Sequence, residues 1–162
     1  MSVLIILLGL SLLIYSLCEI NVYVSLYFDR DVYSIEAFRK AEKAGDAAAC
    51  LHNLAKAGFG LLLLLTGAGR LVQQDLPLGG VFVAVFVLTC LDALLLEVTI
   101  RRFRLKESMA AIQAQWRREK RISANHNHEV DMFRSARALT QKYPRQILII
   151  SACMIALRLL MM

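Results

Sequence analysis

Two groups of residues in this 162-residue chain have the types and spacing that chemistry uses. The first is "HNHEVD", residues 126–131, which sets His126, His128, Glu129 and Asp131 within six positions. Imidazoles and carboxylates gathered in this way can hold first-row metals. The spacing fits no zinc pattern, however, and H-E-x-x-H is absent, so the segment reads as a solvated polar turn. The second group is embedded in apolar sequence: Glu19, Asp92, Glu97 and Arg158. A charged residue at the centre of a membrane helix costs about 2.5 kcal/mol or more on insertion scales, so each one requires a partner, a proton or a transported ion.

Two of these carboxylates have local explanations. Glu97 stands four residues before Arg101, one helical turn, and Glu19 lies at the end of its apolar run; pairing and snorkelling accommodate both. Asp92 differs. It precedes Ile100 by eight residues, about 12 Å of helix at about 1.5 Å per residue. Arg158, twelve residues beyond Gln146, falls about 18 Å from the same edge by that rise. The expectation is an Asp92–Arg158 pair between helices. His52, beside the second apolar run, could ligate haem, but no apolar run supplies a second histidine. No cofactor or metal is expected.

The elements that must position these residues are membrane helices. The chain is 58% hydrophobic, against roughly 45–50% in soluble domains, and it carries four apolar runs. "SVLIILLGLSLLIYSLC" (2–18) has no preceding Lys or Arg and no A-x-A after it, so it reads as an uncleaved anchor. "AGFGLLLLLTGAG" (57–69) and "LPLGGVFVAVFVLTCL" (76–91) follow, then "QILIISACMIAL" (146–157). Spans are expected at about 2–24, 55–74, 76–100 and 145–162 in a single membrane domain. The 13 uncharged residues of the second run fall short of the ~20 that cross a bilayer, which leaves a re-entrant segment as the alternative. The four cysteines are scattered and suggest neither disulfide nor metal.

Charge sets the orientation. Of 19 Lys and Arg, 5 lie in residues 28–56 and 12 in 101–145, leaving Arg70 and Arg158. Basic loops stay cytoplasmic, so segments 28–54 and 101–144 are expected inside and both termini outside, in a bacterial-type inner (plasma) membrane. The net charge of +6 therefore reports topology, and no nucleic-acid partner is expected.

The cytoplasmic segments read as helices forming a small bundle. Ile35, Phe38, Ala41, Gly45, Ala48 and Leu51 make one stripe, Leu105, Met109, Ile112 and Trp116 a second, and Met132, Ala136, Leu139 and Tyr143 a third. The third span is expected to continue as helix to about Arg121, and Pro144 to kink the fourth. The fold class is all-α: four transmembrane helices with helical cytoplasmic extensions.

Phosphate-binding glycine loops and the G-x-S-x-G elbow are absent. The sequence favours a non-catalytic structural or assembly subunit of a larger membrane complex. Its partners would be the lipid bilayer and other membrane subunits, a second copy of itself included. The alternative is an oligomeric ion or proton channel or transporter component that uses Asp92, Glu97 and Glu19.

Overall fold

A computed structural model of the chain describes residues 2–29, 36–73, 76–107, 109–110, 114 and 134–160. They are helical and turn, with no strand among them. Helix α1 spans Ser2–Asp29, α2 Glu36–Val72, α3 Gly79–Arg102 and α4 Tyr143–Leu160, the last preceded by a π-helical turn at Ala138–Lys142. Three segments, Ser2–Phe28, Lys40–Val72 and Gly79–Arg102, are long and apolar enough to cross a membrane. The second apolar run belongs to one uninterrupted 37-residue helix, about 55 Å long at about 1.5 Å per residue. Its continuity comes from the small and polar residues that precede the run.

α1 and α2 are antiparallel and touch backbone to backbone. A Cβ on Gly9 would lie 2.7 Å from the Gly60 carbonyl oxygen and from the Leu64 nitrogen, and one on Gly67 would lie 3.1 Å from the Ser2 carbonyl oxygen. Only glycine allows this approach, as at small-residue interfaces of membrane helices. α2 stops where Gln73 turns left-handed at φ 56°, and a short turn through Pro77 starts α3 back along it. The helices thus have a turn end, near Gln73, and a basic end, where Arg101, Arg102, Lys142 and Arg145 lie exposed.

Two apolar clusters join the helices. At the basic end Ala48, Ala49, Leu96, Ile100, Leu139, Tyr143 and Ile147 pack together. Toward the turn end Phe59, Leu62, Val85, Ile150, Met154 and Leu157 do so. Outward faces remain apolar: Leu4, Leu8, Phe28, Leu94, Leu148 and Leu159 are each more than 60% exposed. Exposure of that kind marks a surface built for lipid or for other apolar partners. Three buried hydroxyls are satisfied within their own helices, Ser16 donating to the Leu12 carbonyl, Thr66 to that of Leu62 and Thr89 to that of Val85.

One expectation about helix continuity changes. α3 does not run unbroken to Arg121: the Phe103 N–H donates to the Thr99 carbonyl, and Arg104 takes a left-handed φ of 47°. That conformation breaks the helical register before helix resumes at residues 105–107. At Pro144 the helix widens just before the proline, where the Tyr143 N–H reaches back to the Ala138 carbonyl. Proline has no N–H for the normal bond, and the wider turn lets the helix pass through it. Of the three stripes, Ala48, Ala136, Leu139 and Tyr143 are buried, and Ala41, Gly45, Leu51, Leu105 and Met109 half-buried. The side chains of Ile35 and Phe38, and Ile112, Trp116 and Met132, lie outside the described set, as do His126, His128, Glu129 and Asp131.

Candidate functional site

Between the two apolar clusters lies a polar layer to which all four helices contribute. α2 supplies His52, Asn53 and Lys56, α3 Asp92, α4 Tyr143 and Gln146, and α1 Tyr23, with Tyr15 and Glu19 on the same side. His52 and Asn53 are fully buried, and Asp92 is 1% exposed. The placement follows from register: α2 and α3 are antiparallel about the turn near Gln73, which puts His52 level with Asp92.

His52 is closed at both ring nitrogens. Its Nδ1 is hydrogen-bonded to Asp92 Oδ2 at 2.8 Å and its Nε2 to the Gln146 side-chain amide at 2.7 Å. The two contacts fix the ring in place between α3 and α4. Tyr143 stacks on the imidazole, centroids 4.2 Å apart and planes 22° apart. Its hydroxyl is 2.9 Å from that of Tyr23, which ties α1 into the layer. Lys56 Nζ sits 5.2 Å from the centre of the Tyr15 ring, a cation–π arrangement. Among the described residues Asp92 Oδ1, Asn53 Oδ1 and Lys56 Nζ have no hydrogen-bond partner.

The expected Asp92–Arg158 pair does not form. Arg158 is exposed near the turn end, its guanidinium 5.8 Å from the centre of the Phe82 ring. A long side chain near a helix terminus reaches outward more cheaply than it crosses the apolar cluster around Met154 and Leu157. Glu97 is exposed and accepts from Arg101 Nε one turn on, the local pairing that its spacing implied. Glu19 is half-buried on the α1 face toward the layer. The structure thus separates Asp92 from Glu97 and Arg158 and joins it to His52.

Sequence reasoning missed Tyr23, Tyr143 and Gln146, and gave His52 no structural role. The signals were there: Tyr15, Glu19, Tyr23 and Tyr27 recur every four residues along α1, and His52 and Lys56 share that spacing. Among the described residues no three His, Cys, Asp or Glu side chains come together as metal ligands. Chemically, the layer holds a linear Asp–His–amide arrangement. In a nucleophilic triad the outer imidazole nitrogen faces a hydroxyl or thiol, whereas here it faces an amide, which is not activated by losing a proton to histidine.

Beyond Gln146 and Tyr23 a pocket of about 660 Å³ opens at the basic end, lined by those two residues and by residues of the 134–145 stretch. Comparison of the chain with protein-family models, curated proteins and solved structures found no match.

Proposed function

We propose that this chain is a non-catalytic structural subunit of an integral membrane complex. It would cross the bilayer four times, α4 included, with both termini on the non-cytoplasmic side. The observation that carries the reading is the closure of His52 at both nitrogens inside a buried layer. The charge that most suggested chemistry is engaged in holding α2, α3 and α4 in register. What remains for partners is the outer surface: α1 lies against α2 and leaves Leu4, Leu8 and Leu17 exposed, and α4 exposes Leu148, Ile149 and Ile155. Photo-crosslinking from position 8 and position 148 in native membranes, followed by purification in mild detergent, tests it. Covalent adducts to other membrane proteins, or to a second copy, are expected. A monodisperse monomer with transport or catalytic activity of its own would overturn it.

A second reading, a proton-transfer component, is favoured by one observation: Gln146 both lines the pocket and bonds His52, so Asp92 is linked to one surface. The apolar cluster of Phe59, Leu62, Val85 and Met154 stands on the other side of the layer. Proteoliposomes carrying the wild type and Asp92→Asn would separate the readings. A proton flux abolished by the substitution supports transfer, and equal leakage supports the structural role.

A further inference from the structure

The pocket at the basic end is lined by Tyr23 from α1 and by Arg134, Ser135, Arg137, Ala138, Gln141, Lys142, Arg145 and Gln146. Its described lining holds four cationic side chains and no carboxylate. Arg137, Lys142 and Arg145 form no ion pair among the described residues; Arg137 Nε only approaches Gln141 Oε1 at 3.4 Å, and Lys142 Nζ stands 5.9 Å from the Tyr143 ring centre. By contrast, Arg101 and Arg104 on the neighbouring helix segment are matched with Glu97 and Glu107. The cations at the pocket are exposed, whereas Tyr23 and Gln146 are half-buried, so charge rings the mouth and neutral hydrogen-bonding groups form the floor. The π-turn Ala138–Lys142 lies in this wall, and such turns recur where helices carry binding sites.

We propose that this pocket is a binding site for a phosphate-bearing anion, with Arg137, Lys142 and Arg145 at the mouth and Tyr23 and Gln146 beneath. Guanidinium forks match phosphate oxygens, and lysine adds a mobile point charge. The volume of about 660 Å³ lies within the range of small-ligand pockets, roughly 300–1,000 Å³, and accommodates a glycerophosphate group. Occupancy would act on the buried layer, because Gln146 is hydrogen-bonded to His52 and Tyr23 meets the Tyr143 hydroxyl. The pocket geometry carries this proposal without the assembly reading; only a lipid source for the phosphate depends on the membrane placement.

The test uses the full chain in phosphatidylcholine nanodiscs, read by thermal unfolding. Two probes are added separately: phosphatidylglycerol within the disc, and soluble glycerol phosphate outside it. A ligand that binds only the folded state raises Tm with its concentration. The wild type and the exposed-arginine control Arg101→Gln/Arg104→Gln should gain several degrees, and Arg137→Gln/Arg145→Gln less than half as much. Should the double variant fail to fold, Arg145→Gln alone carries the comparison. A rise with phosphatidylglycerol only assigns a lipid headgroup, and a rise with glycerol phosphate assigns a soluble ligand. Equal losses in both arginine pairs, or no rise with either probe, would overturn the proposal.

Discussion

At the scale of single residues, the energetics turn on Asp92 and His52. Removing one member of a buried pair leaves an uncompensated charge and costs about 3–5 kcal/mol, whereas replacing both by apolar residues is often neutral or stabilising. His52→Leu and Asp92→Leu should therefore each destabilise the protein by about 3 kcal/mol, and the double substitution by much less than the sum. Denaturant titration in mixed micelles measures all three; additive losses would show that the residues are uncoupled. Asp92 was legible as anomalous in the sequence because an isolated carboxylate deep in an apolar run has no local solution. Its partner was not. The second span was expected from about residue 55, which left His52 outside it, although the protein-facing side of α2 carries Asp46, His52, Asn53 and Lys56, all buried. Hydropathy reads a helix as an average over its faces, so a polar face turned inward makes a spanning helix look too short.

At the scale of elements, the α1–α2 contact is set by glycine. Gly9→Ala would place a methyl group 2.7 Å from two backbone atoms of α2, and Gly60→Ala one 2.9 Å from the Gly9 carbonyl oxygen. Each should lower the unfolding temperature by driving the helices apart, in spite of the gain of up to about 1 kcal/mol in helix propensity. Gly80 has no atom within 4 Å of its virtual Cβ, so Gly80→Ala should leave the unfolding temperature unchanged or raise it. A loss at Gly80 equal to that at Gly9 would contradict the close-contact account. Gly9, Gly60 and Gly67 stand within apolar runs of the sequence. Which helix they served was not legible there, because spacing marks a face without naming what meets it. The breaks were legible to different degrees: Pro144 announced a distortion, while Phe103–Arg104 carries neither glycine nor proline.

At the scale of the whole molecule, the all-helical class and the apolar segments could be read from composition alone. The four-span arrangement predicts that Ser2→Cys and Arg104→Cys, each in a cysteine-free background, react on opposite sides of the membrane. A membrane-impermeant maleimide applied to intact cells should label position 2 and spare position 104; labelling of both from one side would exclude four spans. The charge distribution from which this orientation is proposed also gathers four cationic side chains around the pocket. At physiological salt, such attraction is screened beyond about 8 Å, so its influence is confined to molecules already at the surface.

The polar layer also has an order of manufacture. His52 is synthesised 40 residues before Asp92 and 94 before Gln146. At about 5–20 residues per second, the imidazole waits roughly 5–20 s for its second hydrogen-bond partner. The α1–α2 hairpin, joined through its own glycines, is complete long before then. The nascent chain therefore passes through a two-helix stage with a histidine and a lysine facing an unfinished interior. A ribosome-bound chain arrested before residue 134 should leave His52 open to an imidazole-directed acylating reagent, and the released chain should shield it.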